Sequence, residues 1–174
     1  MNEPQAITVR PARAADAAAI AAIYNQGIEE RIATFETEPR AAEQIAASLR
    51  EKGERYPTVV AERAGRVLAW AGVSSYRPRA CYEGVAEFSV YADRAARGSG
   101  AARAALAELL RVCEQRGFWK LVSRIFPENQ PSRGLCRRLG FREVGIYRRH
   151  GKLDGQWRDC VIVERLLGEA AADA

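Results

Sequence analysis

The sequence predicts an α/β fold in which helices flank a mixed β-sheet. Apolar residues alternate along some segments and recur at helical spacing along others, and the two patterns follow one another through the chain. Of the 174 residues, 48% are apolar, which is enough for one hydrophobic core, and the chain is too short for two ordinary domains. We find no internal repeat or low-complexity linker. We therefore expect a single domain over residues 1–174, with its core in about residues 7–167.

The first half of the chain is predicted to contain two helices and four strands. The first helix is rich in alanine, and Asp16 is its expected N-cap. Gly65 lies between two alternating segments and marks the turn of a hairpin. The predicted elements are strand Ile7–Arg10, helix Asp16–Glu29, helix Ala41–Lys52, strands Thr58–Glu62 and Val67–Val73, and strand Val85–Tyr91.

The second half is predicted to contain two more helices and three more strands. Leu106, Leu109 and Cys113 belong to an apolar stripe at helical spacing, so a long amphipathic helix begins near Gly100. The remaining elements are strand Leu121–Phe126, helix Pro131–Leu139, and a final strand pair, Arg142–Arg148 and Cys160–Leu166.

The segment Arg97–Ala102 lies between a predicted strand and this amphipathic helix. The first amides of a helix have no partner within the helix, and the helix dipole adds positive charge there, so a phosphate binds favourably. No Walker-type lysine follows Gly100, and the three-glycine fingerprint of dinucleotide-binding proteins is absent. The segment predicts a diphosphate-binding loop, although a glycine-capped helix start would also have this sequence.

Composition argues against several other classes of protein. The net charge is +5, but the arginines are dispersed and no basic run is interleaved with aromatic residues, so we expect no nucleic-acid partner. An acidic small ligand accounts for the charge equally well. The four cysteines are widely spaced and His150 is the only histidine, so neither a metal site nor a disulfide framework is expected. No apolar stretch approaches the roughly 20 residues that cross a bilayer, and we expect a cytoplasmic protein with no membrane partner.

A second motif, Asn129–Phe141, contains an asparagine, Ser132 three residues later and a terminal Gly-Phe pair. A helix N-cap followed by a glycine C-cap would produce the same pattern. Together with Arg97–Ala102, which matches an Arg/Gln-x-x-Gly-x-Gly/Ala signature, the motif resembles the acetyl-CoA site of the GCN5-related N-acetyltransferases (GNAT). The resemblance implies a sheet that is splayed between the strand ending at Tyr91 and the strand beginning near Leu121, with acetyl-CoA as the co-substrate in the splay.

Five further segments narrow this resemblance. They are Tyr24–Asn25, Thr34–Thr37, Tyr76–Arg79 with Tyr82, Glu87–Tyr91 and Gly151–Asp159. In combination they resemble the phosphinothricin N-acetyltransferase branch and its arsinothricin-acetylating relatives, and the match covers about residues 9–166. The branch implies N-acetylation of a small acidic amino-acid analogue, resistance to that compound, and a homodimer whose partner completes the substrate pocket.

The resemblance also assigns residues to the co-substrate. The loop amides bind the diphosphate, and the strand around Val90 pairs with the pantetheine as an added strand and supplies an oxyanion donor. The residues assigned to acetyl-CoA are Val90, Tyr91, Ala92, Arg97, Gly98, Ser99, Gly100, Ala101, Ala102, Asn129 and Ser132.

Glu87 and Cys136 are the expected residues for proton transfer. Glu87 interrupts an otherwise apolar strand and matches the glutamate of the branch, so we expect it to accept a proton from the substrate ammonium. An unperturbed carboxylate is a weak base toward an ammonium, so burial or a water relay is required. Cys136 occupies a position that is commonly tyrosine in the superfamily and histidine in the branch. It either protonates the departing thiolate or, as we favour, fills a small apolar space while solvent or a group such as Tyr91 supplies the proton.

The expected substrate contacts lie in two connections between predicted elements. Arg77 and Arg79 fall where a substrate mouth is expected, and each guanidinium can bind a carboxylate, phosphinate or arsonous-type oxyanion. By resemblance, Phe35 and Thr37 shape the amino-acid pocket, and Tyr82 lies beside the arginines.

Three functions remain open from the sequence. The first is acetylation of the α-amino group of a phosphinothricin-like or arsinothricin-like amino acid. The second is acetylation of methionine sulfoximine, methionine sulfone or another small amino acid. The third is a non-catalytic acyl-CoA-binding domain in which Cys136 marks lost chemistry. Retention of Glu87 with Arg77 and Arg79 argues against the third function, and we expect the first.

Overall fold

The structure, a computed structural model, describes residues 6–172. Within these residues the chain forms a seven-stranded sheet with helices packed on both faces, so the predicted mixed sheet flanked by helices is confirmed. The strands are β1 (Thr8–Pro11), β2 (Thr58–Arg63), β3 (Arg66–Ser75), β4 (Val85–Ala92), β5 (Lys120–Ile125), β6 (Arg142–Leu153) and β7 (Gln156–Leu166). The helices are α1 (Ala17–Glu30), α2 (Ala42–Lys52), α3 (Ala101–Gln115), α4 (Gln130–Arg138) and α5 (Glu169–Ala172).

The order of strands across the sheet is β1-β2-β3-β4-β5-β7-β6. Neighbouring strands are antiparallel except β4 and β5, which are parallel. The carboxyl ends of these two strands therefore lie at the same edge of the sheet. Since α3 follows β4 and α4 follows β5, both helices begin at that edge, which is where open α/β sheets bind ligands.

Two apolar clusters hold the helices on the sheet. On one face, Leu106 and Leu109 of α3 pack with Phe88 of β4 in the larger cluster. On the other face, Ile20 and Ile23 of α1 pack with Trp70 of β3. No helix within residues 6–172 combines the length and the apolar character that crossing a membrane requires.

The β4 and β5 strands separate soon after they meet. Their ladder joins only Val85–Glu87 to Lys120–Val122, although β4 continues to Ala92 and β5 to Ile125. Where the ladder ends, the hydroxyl of Ser123 donates a hydrogen bond to the carbonyl of Phe88 at 2.9 Å. The sheet is thus splayed at the predicted place.

The final strand pair is longer than predicted. β6 reaches Leu153 and β7 begins at Gln156, so most of Gly151–Asp159 is strand rather than turn. The register shifts between Tyr147 and Gly151, where the carboxylate of Asp159 accepts the N–H of Arg149 at 2.7 Å. The prediction ended early because this segment is polar, whereas β6 is an exposed edge strand that needs no apolar face.

Asp16 precedes α1 as predicted, but its side chain does not cap that helix. The carboxylate instead accepts hydrogen bonds from the Arg10 guanidinium at 2.8 and 2.9 Å and from the Arg13 N–H at 2.7 Å. The hydrogen bonds from Arg10 lower the pKa of Asp16 despite its burial. Its role is therefore to connect β1 to the start of α1.

Candidate functional site

The loop that ends at α3 presents free backbone amides. Gly98 and Gly100 have φ values of +78° and +89°, which glycine adopts without strain, and Gly100 is the N-cap of α3. Within residues 6–172, the amides of Gly98, Gly100 and Ala102 donate to no other group. A Cβ atom on either glycine would meet nothing within 4 Å, so the space in front of the loop is open. These features fit an anion such as a diphosphate.

The side chain of Arg97 fixes the loop to α1. Its guanidinium donates to both carboxylate oxygens of Glu30 at 2.8 and 2.7 Å, and Arg94 donates to the same carboxylate at 2.9 Å. Burial alone would raise the pKa of Glu30, but the hydrogen bonds from Arg97 and Arg94 outweigh it and lower the pKa. Arg97 therefore holds the backbone of the loop in place, and its charge is paired with that of Glu30.

The edge of β4 that faces the splay carries backbone groups with no partner among residues 6–172. The carbonyl of Phe88 points toward β5, because it accepts the hydroxyl of Ser123. Backbone direction alternates along a strand, so Val90 and Ala92 turn their N–H and C=O groups to the same side, beyond the end of the β4–β5 ladder. This edge can receive an extended ligand as an added strand, as predicted for the pantetheine.

Tyr91 does not turn its backbone groups toward the splay as Val90 and Ala92 do. Its backbone faces Trp70 on β3, and its ring lies against Trp70 and Tyr24 at centroid distances of 5.2 and 4.9 Å. The hydroxyl donates to the carbonyl of Ala33 at 3.3 Å, and burial raises the pKa of Tyr91 above its usual value. Its side chain therefore belongs to the cluster beneath α1.

Asn129 and Ser132 lie at the start of α4, on the β5 side of the splay. The Asn129 side chain caps α4 by accepting the Ser132 N–H at 3.2 Å, and its amide donates to the carbonyl of Ile32 at 3.1 Å. Asn129 thereby connects α4 to the segment that follows α1. The Ser132 hydroxyl has no hydrogen-bond partner among the described residues.

Glu87 forms an ion pair that the sequence did not predict. Its carboxylate, 29% exposed, accepts a hydrogen bond from the Arg124 guanidinium of β5. Opposite Glu87 on β3 is the exposed Ser74, and the next residue along β4 on the same face is the exposed Ser89. Glu87 therefore lies on an open polar face of the sheet, with Arg124 beside it.

Cys136 lies in the core rather than in the splay. It is 1% exposed and belongs to the cluster that contains Phe88 and Leu135. Burial raises the pKa of its thiol to about 12. This environment is that of a small apolar side chain, which agrees with the favoured interpretation.

The expected substrate residues occupy two connections. Arg77 and Arg79 are exposed, and neither guanidinium forms an ion pair or hydrogen bond within residues 6–172, although that of Arg77 lies 5.2 Å from the centre of the Tyr76 ring. Tyr76 meets Tyr82 edge to face at 5.5 Å. This connection joins β3 to β4, so it leads directly to the strand that carries Glu87.

Phe35 anchors the connection that follows α1. Its ring meets Phe126 edge to face at 4.8 Å and lies close against Gly151, where an added Cβ would be 2.8 Å from the ring. Thr37, two residues later, is exposed. The connection is also fixed by Asn25, whose side chain forms two hydrogen bonds with the backbone of Arg40 at 2.8 and 3.0 Å.

Residues 6–142 match the family model described as an acetyltransferase (GNAT) domain. The phosphinothricin N-acetyltransferase of Alcaligenes faecalis is 35% identical, with 93% of this chain and 83% of that protein aligned. The L-methionine sulfoximine/L-methionine sulfone acetyltransferase of Pseudomonas aeruginosa PAO1 is 33% identical, with 90% and 92% aligned. The crystal structure of a GNAT superfamily phosphinothricin acetyltransferase from Sinorhizobium meliloti in complex with acetyl-CoA is 34% identical, with a TM-score of 0.88, and the alignment covers 95% of this chain and 91% of that one.

The residues present fit acetyl-CoA in two respects. Free amides at the start of α3 suit a diphosphate, and the unpaired edge of β4 suits an extended amide-containing chain. The family match and the structural similarity extend over most of the chain. The chain therefore belongs to the GNAT acetyltransferase family and uses acetyl-CoA as its co-substrate.

Proposed function

We propose that this enzyme acetylates the α-amino group of a small amino acid with an anionic side chain, such as phosphinothricin or arsinothricin, and so gives resistance to it. The observation that carries the proposal is the presence of two exposed guanidinium groups, Arg77 and Arg79, that pair with no group of residues 6–172 and lie in the connection that leads to Glu87. Guanidinium groups bind planar or tetrahedral oxyanions through paired hydrogen bonds. The similarity to a protein named phosphinothricin N-acetyltransferase supports the same substrate class.

The co-substrate, when bound, supplies an activated acetyl thioester. The amides of Gly98, Gly100 and Ala102 would hold its diphosphate, and the free edge of β4 would hold its pantetheine. The Val90 N–H is the expected hydrogen-bond donor to the oxyanion that develops during attack. These groups are fixed by the sheet and by the Arg97–Glu30 pair, so little reorganisation accompanies the reaction.

Glu87 is the proposed acceptor of a proton from the substrate ammonium, directly or through water. The neutral nitrogen then bonds to the acetyl carbon as the carbon–sulfur bond breaks. Of the two protons that the nitrogen loses, one ends on the thiol of coenzyme A and one is released to solvent. Because the thiol of Cys136 is buried in the core, the proton for the departing sulfur comes from solvent in this proposal.

A thiol-release assay with acetyl-CoA and a panel of amino acids tests this function. The panel contains phosphinothricin, glutamate, methionine sulfone, methionine sulfoximine and an alanyl peptide. Phosphinothricin should have the highest kcat/KM. Turnover confined to the peptide, or saturable acetyl-CoA binding with no turnover on any amine, would contradict the proposal.

A second candidate is acetylation of methionine sulfoximine or methionine sulfone. It is supported by the Pseudomonas relative of that name, which aligns with 90% of this chain. The sulfone side chain is uncharged, whereas phosphinothricin carries an anionic phosphinate. Since Arg77 and Arg79 are both without a carboxylate partner among the described residues, we favour the charged side chain.

We further propose that the enzyme is a homodimer formed through the β6–β7 hairpin. β6 is an outer strand of the sheet, and Val144, Ile146, Tyr147 and Trp157 of the hairpin are about half exposed, at 47%, 56%, 54% and 54%. Large apolar side chains grouped at an unpaired edge are typical of an association surface. Sedimentation of the wild type should give a dimer, and Ile146→Glu should give a monomer. A wild-type monomer at micromolar concentration would contradict this assembly.

A further inference from the structure

Arg124 is an unusual residue for its strand. Leu121 and Ile125 of β5 are buried, and the strand is preceded by Trp119 and followed by Phe126. Arg124 nevertheless extends from this strand with 46% of its side chain exposed. Its guanidinium donates to Glu87 on the adjacent parallel strand. It is the only cation within salt-bridge distance of Glu87 among residues 6–172.

Most of the hydrogen-bonding capacity of Arg124 is unused. A guanidinium has five N–H donors, and only one nitrogen of Arg124 donates to a group in the described residues. The hydrogen bond to Glu87 outweighs partial burial and raises the pKa of Arg124, so the guanidinium remains charged. Ser74 of β3 lies opposite Glu87, and Arg77 and Arg79 follow Ser74 by three and five residues in the connection to β4.

A purely structural role accounts poorly for this pair. Exposed ion pairs contribute about 0–1 kcal/mol to stability, because water screens the charges and ordering the side chains costs entropy. The surrounding face is polar and open, with Ser74 and Ser89 exposed beside Glu87. The pair therefore presents one cation and one anion, side by side, on the face that holds the proposed proton acceptor.

An α-amino acid carries the complementary arrangement. Its ammonium and carboxylate are attached to one carbon atom, so a site that binds both needs an anion and a cation in contact. We propose that Arg124 binds the α-carboxylate of the substrate while Glu87 accepts a proton from the neighbouring ammonium. Arg77 and Arg79 then remain for the anionic side chain. This inference rests on the proposed function and makes Arg124 a specificity-determining residue that favours α-amino acids over simple amines.

The test compares phosphinothricin with its decarboxylated analogue, aminopropyl methylphosphinic acid, which keeps the amine and the phosphinate. The kcat/KM ratio of the two substrates is measured for the wild type, Arg124→Gln and Arg124→Lys. The control is Arg111→Gln, because Arg111 also pairs with a single carboxylate, Glu108, but lies on the exposed side of α3. A lost charge-assisted hydrogen bond should lower the ratio in Arg124→Gln about 10- to 100-fold, chiefly through the KM for phosphinothricin. Arg124→Lys should be intermediate, and Arg111→Gln should match the wild type.

Equal losses on both substrates in Arg124→Gln would overturn the inference, since they would indicate a structural role. Acetyl-CoA binding and thermal unfolding report whether the variant is folded, and Arg124→Lys gives the same comparison if the glutamine variant is not. A wild type that acetylates no amino acid would refute the proposed function itself. A wild type that acetylates phosphinothricin, together with an unchanged ratio in both Arg124 variants, would refute only the role of Arg124.

Discussion

The substitution Gly100→Ala should weaken acetyl-CoA binding at the diphosphate loop and lower the stability of the fold only modestly. Gly100 has φ +89°, and a Cβ there would meet nothing within 4 Å, so the substitution causes no clash in the free protein. The left-handed backbone of an alanine costs roughly 1–2 kcal/mol, which should lower the midpoint of thermal unfolding by about 2–8 °C in a protein of this size. The new methyl group would occupy the space in which the diphosphate approaches the free amides. Loss of one hydrogen bond to a charged group should weaken acetyl-CoA binding about 10- to 150-fold.

The matched control for this substitution is Gly117→Ala, at the other end of α3. Gly117 has φ +79° and also has nothing within 4 Å of an added Cβ. Both variants should therefore lose similar stability, measured by thermal unfolding, while calorimetric titration with acetyl-CoA should show weaker binding for Gly100→Ala only. Equal affinities in the two variants would refute the assignment of the loop to the diphosphate.

Four further predictions concern single side chains. Glu87→Gln should lower kcat about 10²- to 10⁴-fold without changing the Kd for acetyl-CoA; a near-normal rate would exclude Glu87 as the proton acceptor. Cys136→Ala should leave kcat unchanged and cost about 1 kcal/mol of stability in urea unfolding, and a large fall in kcat would instead identify it as a proton donor. Arg77→Ala should raise the KM for phosphinothricin about tenfold while the KM for acetyl-CoA stays constant; equal small effects on both would indicate a surface role. Because hydrogen bonds from Arg10 lower the pKa of Asp16 in the folded protein, its stabilisation is present above the unfolded pKa near 3.9 and is lost as the pH falls through the folded value. Below about pH 4, the free energy of urea unfolding should therefore depend less on pH in Asp16→Asn than in the wild type. The same pH dependence in both proteins would contradict this.

The order of elements could be predicted because burial imposes a period on most of them. The second helix was predicted over Ala41–Lys52 and is found over Ala42–Lys52, since its partly buried Ile45 and Leu49 recur at helical spacing. The hairpin β6–β7 was predicted too short, because its outer strand is exposed from Arg142 to His150 and carries no alternation. An apolar pattern arises only where one face of an element is buried, and an exposed edge strand has no such face.

The candidate site was predictable only where its geometry is local. The open amides of Gly98, Gly100 and Ala102 follow from glycines at a helix start, which the sequence displays directly. Arg124 was overlooked, although a charge within an apolar strand is the same signal that identified Glu87. Their ion pair depends on β4 and β5 being neighbours in register, and that pairing is set by the whole sheet. The motif around Asn129 also predicted a helix N-cap, and its side chain does cap α4; the hydrogen bond that it donates to the carbonyl of Ile32 could not be predicted, because the two residues are far apart in the sequence.

The proposed reaction is transfer of the acetyl group from acetyl-CoA to the α-nitrogen of an acidic amino acid. Its most direct test is NMR of the product formed from acetyl-CoA labelled with carbon-13 in the acetyl group and from phosphinothricin labelled with nitrogen-15. We expect a labelled amide in which the acetyl carbon couples to the α-nitrogen, formed with one free thiol per amide. Acetyl label that appears only on lysine side chains of the enzyme, or only as acetate, would contradict it.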